Sequence, residues 1–514
     1  MKGGKMLRLV TGLCSLGIAV GVLGLAGCGS DTDAVTAGTS TDRGSLVYDP
    51  PIRVASLTAA DFGAQLAAQA AGASLIAVAG QPACGVDIYA IQYNTVGGAA
   101  EKTTSSAAMM VPTGTAPGCS GPRPIVLYAH GTQTDKTADL ADIQNPGNTE
   151  GALIAAVFAA HGFVVVASNY AGYATSSLPY HPFLNGDQQS KDMIDALTAA
   201  RTALPHTTSS ATSDSGKLFV TGYSQGGYVA MATHKALQAA GVAVTASAPM
   251  SGPYALEAFG DAIFYGSVDI GSTVFGSMVA SSYQHSYGNL YTTPTQVFEA
   301  TYAANVAADI LPSATPVATL FSTGKLPQTA LFNSTPPVTG NAQLDAALAI
   351  PANPVFALGF GKSNLITNDF RLSYVLDAVN NPDGAVPTPH AGVPLAAAPG
   401  NPLRADLKAN DMRSWTPARP MLLCGGAQDP TVFFSVNTGT MQAFWAGLPA
   451  GLVTVLDVNA TPNPQSPFAP LQVGFQTTLA SLLASGGQEA VVENYHTTVA
   501  PFCAVAARGF FSQF

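Results

Sequence analysis

The chain carries two kinds of apolar pattern. Between residues 124 and 248, short continuous apolar runs alternate with stretches in which apolar residues recur every three or four positions. Runs of the first kind predict strands that are buried on both faces, and stretches of the second kind predict amphipathic helices. The same alternation returns after Pro420. We therefore predict an α/β fold in which helices cover both faces of a mostly parallel sheet.

The pattern also gives approximate bounds for these elements. Two runs of mixed alternation on either side of Gly97 and Gly98 predict an antiparallel strand pair ahead of the parallel part of the sheet. The predicted strands cover residues 86–93, 103–111, 124–128, 163–168, 217–221, 242–248, 421–424 and 452–458. The predicted helices cover residues 151–160, 187–203, 225–240, 433–448 and 471–484, with a last helix after Pro501.

A long central segment interrupts the alternation. From residue 253 to residue 415 the composition turns to Ser, Thr, Ala, Pro and aromatic residues. We predict that residues 253–415 form an inserted, mainly helical cap, and that residues 48–252 and 416–514 form the α/β core. Together, the two core pieces have a normal size for one large domain.

The N-terminal residues predict export. Basic residues precede an apolar run from about Leu9 to Leu25 that ends in small residues, which is typical of a secretory signal. Residues 25–28 resemble the lipobox of bacterial lipoproteins, which implies removal of residues 1–27 and lipidation of Cys28. Ordinary cleavage and an uncleaved anchor are the alternatives. The polar residues 28–47 would form a flexible tether, so we expect a cell-envelope lipoprotein (in the outer membrane or facing the periplasm) or a secreted protein. Any membrane contact would be made only through the N-terminal lipid.

The charge balance argues against a nucleic-acid partner. The 20 Lys and Arg residues against 30 Asp and Glu residues give a formal net charge of −10. A surface of this sign repels a phosphate backbone, so no nucleic-acid binding is expected. Because only 10% of the residues are charged and 47% are hydrophobic, the chain is also unlike a charge-rich disordered protein.

The cysteine count suggests two disulfide bonds. Four cysteines remain once the signal is removed and Cys28 is acylated: Cys84, Cys119, Cys424 and Cys503. An even number in an exported chain favours disulfides, although four cysteines allow three pairings. We prefer Cys84–Cys119, which flank the predicted strand pair, and Cys424–Cys503, for a reason given below.

Residues 221–227 contain the pattern G-x-S-x-G with Ser224 at its centre. In such an elbow the serine has a strained backbone conformation, and the positions two residues before and after it leave no room for a β-carbon. The pattern alone also occurs in simple turns, but the predicted strand before it and helix after it favour a nucleophile. A serine hydroxyl needs a base, and the base needs an orienting carboxylate.

The partners of Ser224 are predicted from their order along the chain, acid before histidine. Asp429 follows the predicted strand 421–424 and is the candidate acid, its alternative being a helix N-cap. Asp457 competes with it but lies inside a predicted strand. His496 is the candidate base, and the Cys424–Cys503 pairing would tie the loops of the acid and the base together. The earlier histidines are predicted to be structural or exposed: His130, His161, His181, His206, His234, His285 and His390.

Acyl transfer also needs two donors for the oxyanion that develops on the carbonyl group. The backbone N–H of Gln225, just after the candidate nucleophile, is predicted to be one donor. The backbone N–H of Thr132, in the turn after strand 124–128, is predicted to be the other. The alternative for Thr132 is an ordinary turn from strand to loop.

The chain resembles the α/β-hydrolase family and, within it, secreted lipases and esterases with a large inserted cap. The resemblance covers most of residues 84–510 and rests on the His130-Gly131 turn, residues 169–173, residues 181–183, the elbow at Ser224 and residues 415–429. It implies ester hydrolysis with Ser224, Asp429 and His496 as the catalytic triad. Asn169 departs from the family pattern, which has Asp before the following Tyr.

Other functions remain open at this point. A peptidase or a polyester depolymerase would use the same triad on another bond, because a fold does not determine the substrate. A non-catalytic, surface-binding lipoprotein on the same scaffold is a further alternative, against which the three intact triad residues argue. The sequence has no complete phosphate-loop pattern and no H-E-x-x-H, so we predict no cofactor and no metal. Five cap residues are expected either to line the substrate pocket or to pack in the cap core: Phe264, Tyr265, Phe275, Met278 and Tyr283.

Overall fold

Nine strands form one mixed sheet within residues 36–37, 41–69, 72–209 and 211–514, which the computed structural model describes. The strands are β1 (Ile52–Leu57), β2 (Gly85–Val96), β3 (Lys102–Thr113), β4 (Gly121–Ala129), β5 (Val164–Ser168), β6 (Thr212–Tyr223), β7 (Ala246–Met250), β8 (Met421–Gly425) and β9 (Val453–Asp457). Their order across the sheet is β9-β8-β7-β6-β4-β5-β3-β2-β1. Strands β4 to β9 pair in parallel, whereas β3 pairs antiparallel with β5 and β1 to β3 form antiparallel neighbours. The prediction of a mostly parallel sheet preceded by an antiparallel pair is confirmed.

Helices surround this sheet. Those before the central segment are α1 (Ala59–Ala68), α2 (Gly72–Ala79), α3 (Thr149–Val157), α4 (Gly186–Ala203) and α5 (Gln225–Ala239). The central segment contains α6 (Leu256–Phe264), α7 (Ser272–Tyr287), α8 (Ala300–Ala307), α9 (Val317–Ser322), α10 (Ala342–Leu348), α11 (Pro354–Ala357), α12 (Asn368–Asn380) and α13 (Pro402–Ala409). The last helices are α14 (Thr440–Phe444), which follows a π-helical stretch at Ser435–Gly439, and α15 (Ala469–Phe511). None of the described helices is both long and apolar enough to cross a bilayer.

The continuous apolar runs are explained by two hydrophobic clusters, one on each face of the sheet. In β4, Ile125 and Leu127 belong to the cluster that includes residues of α4 and α5, while Val126 and Tyr128 belong to the cluster that includes residues of α3 and α15. Because successive side chains of a strand point to opposite faces, a strand covered on both sides must be apolar at every position.

Between β7 and β8 the chain adds no described strand to the main sheet. Strand β7 ends at Met250 and β8 begins at Met421, and the intervening residues form α6 to α13 with a two-residue strand pair at Phe332–Asn333 and Phe360–Gly361. This segment contributes many residues to the hydrophobic cluster of α4 and α5, such as Tyr283 and Phe298.

The C-terminal helices differ from the prediction. Two separate helices were expected, and α15 (Ala469–Phe511) is divided in two by a kink at Gly487, where φ is 70° and ψ is −166°, but the second helix begins directly after this kink. Pro501 lies inside this helix rather than before it. A proline removes one backbone hydrogen bond, and the buried side chains of Phe502 and Phe511 stabilise the helix against that loss. The helix predicted at 433–448 is also shorter than expected.

The N-terminal tether ends earlier than predicted. The side chain of Arg43 forms an ion pair with Asp195 at 3.0 Å, and Leu46 is buried. The backbone N–H of Val47 donates to the carbonyl oxygen of Gln92 at 2.8 Å. Residues 43–47 therefore pack against the core and do not form the end of a flexible tether. The predicted signal segment and Cys28 lie outside the described residues.

Two disulfide bonds are present, Cys84–Cys119 and Cys424–Cys503. This is the pairing preferred from the sequence. Stable disulfides are typical of proteins outside the cytoplasm, so the bonds indicate an extracytoplasmic location.

Candidate active site

Ser224 lies at a sharp turn between β6 and α5. Its backbone angles are φ 59° and ψ −121°, a region that a residue with a side chain rarely adopts. A β-carbon at position 226 would lie 1.9 Å from the carbonyl oxygen of Ala129, and one at position 222 would lie 2.3 Å from that of Gly226. The turn thus requires glycine at both positions. The backbone N–H of Ser224 donates to Met250 at 3.0 Å, which fixes the turn to β7.

The structure brings Ser224, His496 and Asp429 together in one chain of hydrogen bonds. The Nε2 atom of His496 lies 2.9 Å from the Oγ atom of Ser224, and its Nδ1 atom lies 2.6 Å from the Oδ2 atom of Asp429. An Nδ1–H that donates to the carboxylate leaves Nε2 free to accept the serine proton. The Asp429 side chain is 1% exposed and that of His496 is 13% exposed. The hydrogen bond between these two residues is therefore shielded from water.

Asp429 also caps the turn that follows it. Its Oδ1 atom accepts hydrogen bonds from the backbone N–H groups of Thr431 at 2.9 Å and Val432 at 3.1 Å. The two interpretations given to this residue from the sequence are therefore compatible, because one carboxylate oxygen caps the turn and the other contacts the imidazole.

Asp457 contacts a different part of the same loop. Its Oδ1 atom accepts from the backbone N–H groups of Ala427 at 2.9 Å and Asn459 at 2.8 Å. Asp457 therefore stabilises the loop that carries Asp429. Because Asp457 binds the backbone of this loop whereas Asp429 contacts His496, the structure favours Asp429 over Asp457 as the acid. Nothing in the sequence indicated this supporting contact.

His496 lies within α15, whereas a loop was expected from the sequence. Three contacts around it fix this helix to the sheet. The hydroxyl of Tyr223 donates to the backbone carbonyl of His496, the hydroxyl of Tyr495 accepts from the backbone N–H of Gln428 at 3.2 Å, and the Cys424–Cys503 disulfide joins β8 to α15. A helix can carry the base because these contacts fix it next to the acid.

The predicted oxyanion donors lie beside Ser224. Thr132, Gln225 and Ser224 line the same cavity. The backbone N–H of Gly131 is directed elsewhere, towards the two carboxylate oxygens of Glu150 at 3.0 and 3.2 Å. Thr132 follows this anchored turn, and its backbone N–H stays the predicted second donor.

Two side chains that the sequence analysis did not assign to the site support these donors. Glu150 also accepts from the hydroxyl of Tyr128 at 2.7 Å, and burial raises the pKa of its carboxyl group. The Nε2 atom of Gln225 lies 2.7 Å from the Nε2 atom of His181, whose Nδ1 atom lies 2.9 Å from the carbonyl oxygen of Ala171. Burial lowers the pKa of His181 to about 3, so this imidazole is neutral and accepts from the Gln225 amide. His181 is thus a structural histidine, as predicted.

Asn169, which departs from the pattern of the resembling family, does not contact the candidate triad. It donates to the Oγ atom of Ser106 and to the Oδ1 atom of Asp139, both at 2.9 Å, and accepts from the backbone N–H of Leu140 at 2.8 Å. It fixes the loop between β4 and α3.

A cavity of about 130 Å³ extends from Ser224 into the central segment. Most of its walls are apolar, including Leu256, Phe259, Phe298, Leu331, Ile366 and Leu407. Of the five cap residues proposed from the sequence, Phe264 and Phe275 line it. Met278 and Tyr283 are buried in the hydrophobic cluster instead, and Tyr265 packs against that cluster.

Comparisons with known proteins agree with this arrangement. A sequence model of the prolyl oligopeptidase family matches residues 151–267. A ligand-bound form of the rice cell wall degrading esterase LipA from Xanthomonas oryzae is 26% identical, with a TM-score of 0.65, over 91% of this chain and 98% of that chain. A second structure of LipA is 28% identical, with a TM-score of 0.62, over 86% of this chain and 98% of that chain. No curated protein sequence matches the chain significantly.

A putative hydrolase from Legionella pneumophila is 17% identical, with a TM-score of 0.60, over 90% of this chain and 96% of that chain. At this identity the likeness concerns the fold alone. The sheet order, the elbow and these similarities define the protein as a serine hydrolase with the α/β-hydrolase fold. Among solved structures, it is similar over nearly its whole described length to the esterase LipA.

Proposed function

We propose that the protein hydrolyses carboxylic esters through an acyl-enzyme on Ser224. The observation that carries this proposal is the hydrogen-bond chain from Ser224 through His496 to Asp429, at the mouth of an apolar cavity. The 26% identity to an esterase over almost the whole of both chains supports the same reaction.

In this mechanism the hydroxyl of Ser224 attacks the ester carbonyl carbon while His496 accepts its proton. The N–H groups of Gln225 and Thr132 stabilise the oxyanion. His496 then gives the proton to the departing alcohol, and a water molecule, activated by the same imidazole, releases the acid. Asp429 holds the imidazole in the required tautomer and stabilises its protonated form.

We infer that the apolar cavity holds the acyl chain. The alcohol must leave on the side of His496, because this residue gives it a proton. The cavity is instead lined by Ser224 and both candidate oxyanion donors, and His496 is not part of its described wall. Residues 253–415 supply most of the wall, so we propose that this segment is a cap that selects the acyl group.

Ester hydrolysis is tested with p-nitrophenyl esters of increasing acyl length and the variant Ser224→Ala. We expect turnover of the esters by the wild type and a loss of several orders of magnitude in kcat for the variant. A suitable control is Ser272→Ala, which also removes a hydroxyl from the cavity wall but should retain turnover. Undiminished activity of Ser224→Ala would contradict the mechanism.

A peptidase is the second candidate, because the prolyl oligopeptidase family model matches residues 151–267. That segment includes the elbow and the strands and helices around it, but not Asp429, His496 or most of the proposed cap. Aminoacyl and prolyl p-nitroanilides, assayed beside the esters at equal concentration, separate the two functions. Higher kcat/KM on the anilides would favour the peptidase.

We further propose that the protein is exported and that Cys28 carries the lipid. The two disulfides support a location outside the cytoplasm. Labelling of the full chain with radioactive palmitate, compared with Cys28→Ala, tests the lipid. Equal labelling of the two proteins would contradict it.

A further inference from the structure

One acidic side chain lies in the wall of the mostly apolar cavity. Asp269 precedes α7 and is the one titratable residue in the described part of the cavity wall. It lies close to the candidate catalytic residues, since the backbone N–H of the next residue, Ile270, donates to the carbonyl oxygen of Pro430 at 3.0 Å. Asp269 therefore lies near the loop that carries Asp429.

The side chain of Asp269 is buried, with one carboxyl oxygen left unsatisfied by the described residues. The residue is only 4% exposed, and its Oδ1 atom has no hydrogen-bond partner among the residues that the structure describes. A buried polar group without a partner is destabilising. Asp383, another buried carboxylate, is by contrast paired with Arg413 at 2.7 Å. A carboxyl oxygen without a partner in a substrate cavity is explained if the substrate supplies that partner.

The ionisation state of Asp269 restricts what that partner can be. Burial raises the pKa of its carboxyl group well above the usual value, and this effect outweighs a hydrogen bond from its own backbone N–H, which lowers the pKa. The negative charge of Asp429 raises the pKa further. A neutral carboxyl group both donates and accepts a hydrogen bond, as a hydroxyl group does. An ammonium group would instead require the carboxylate form, which this environment disfavours.

We propose that Asp269 is a specificity residue that binds a hydroxyl group on the acyl chain of the substrate. The inference rests on the proposed function, and it narrows the substrate class to esters of hydroxylated carboxylic acids. In a mostly apolar cavity, a buried group that lacks a hydrogen-bond partner selects for a matching hydroxyl, because an unsubstituted chain leaves that group unpaired.

The experiment compares methyl octanoate with its derivatives that carry a hydroxyl group at carbon two, three, six or eight. Release of acid is followed by titration for the full-length wild type, Asp269→Asn and Asp269→Leu. The amide keeps a donor and an acceptor in the same place, whereas leucine keeps neither. Asp269→Ala replaces the leucine variant if the latter does not fold.

The measured quantity is the kcat/KM on a hydroxylated ester divided by the kcat/KM on methyl octanoate. For at least one hydroxylated ester, we expect this ratio to be about tenfold or more lower in the leucine variant than in the wild type. The asparagine variant should keep most of the preference. An equal change on every ester would overturn the inference while leaving ester hydrolysis intact. A preference of the wild type for the ester of 8-aminooctanoic acid, lost in the asparagine variant, would overturn it in favour of an ammonium site. Failure of the wild type to hydrolyse any ester would contradict the proposed function itself.

Discussion

Removal of the Cys424–Cys503 disulfide is expected to reduce both stability and catalysis. The bond joins the end of β8, just before the loop of Asp429, to the helix that carries His496. The double variant Cys424→Ala/Cys503→Ala keeps all the proposed catalytic groups but removes the covalent link between the elements that carry the acid and the base.

The loss of stability can be estimated from the length of the loop that the bond closes. A separation of 79 residues corresponds to about 4.5 kcal/mol of loop-closure entropy in the chain-entropy model. The Cys84–Cys119 bond closes a separation of 35 residues, which corresponds to about 3.8 kcal/mol. The two bonds therefore stabilise the fold by similar amounts, and their cysteines are all buried.

The variant Cys84→Ala/Cys119→Ala is thus a matched control. Both variants are unfolded in urea to obtain the free energy of unfolding, and kcat on a p-nitrophenyl ester is measured well below their melting temperatures. We expect similar losses of stability, but a loss of about ten- to a hundredfold in kcat only for the Cys424–Cys503 variant, since small misplacements of catalytic groups are costly. Equal kcat values in folded samples of both variants would refute the idea that this bond positions His496.

Three further predictions concern groups around the site and in the cap. Glu150→Gln should lower kcat about tenfold or more with little change in KM, because it weakens the hydrogen bond that holds Gly131 in the turn before Thr132. An unchanged kcat in steady-state kinetics would show that this hydrogen bond is unimportant for the reaction. Gly226→Ala should yield little folded protein by circular dichroism, since the added carbon would meet the carbonyl of Ala129 at 1.9 Å. Burial raises the pKa of Glu257 from 4.5 to about 8, so the folded state holds its proton more tightly. The free energy of unfolding should therefore fall as pH rises from about 4.5 to about 8, and Glu257→Gln should flatten that slope in urea titrations.

Much of the fold and the candidate nucleophile could be predicted because their signals are local. The buried strands are apolar at successive positions, and the elbow places its two essential glycines within two residues of Ser224. Asp429 and His496 have no comparable local signal. They were chosen because, in this fold, the acid precedes the histidine along the chain. Both were then found in contact, 67 residues apart in sequence.

The features of the site that the sequence analysis predicted wrongly or missed depend on packing between distant segments. The helical position of His496 results from contacts of α15 with Tyr223 and β8, which leave no pattern near residue 496. Likewise, Glu150 and Asp269 are ordinary acidic residues in the sequence. Only the folded chain places one under the oxyanion turn and the other in the cavity wall.

The residues proposed for catalysis and most of the residues that line the cavity belong to two different parts of the chain. The proposed catalytic residues are held mainly by the sheet, α5 and α15, through hydrogen bonds and a disulfide, although Ile270 of the segment 253–415 also donates to the carbonyl oxygen of Pro430 beside Asp429. That segment instead supplies most of the cavity wall, including Asp269. Substitutions in the cavity wall of this segment should therefore change which ester is preferred, with smaller effects on the hydrolysis of a short ester that does not fill the cavity. The three proposed catalytic residues would remain aligned in such variants, because the hydrogen bonds that join them involve no residue of that segment.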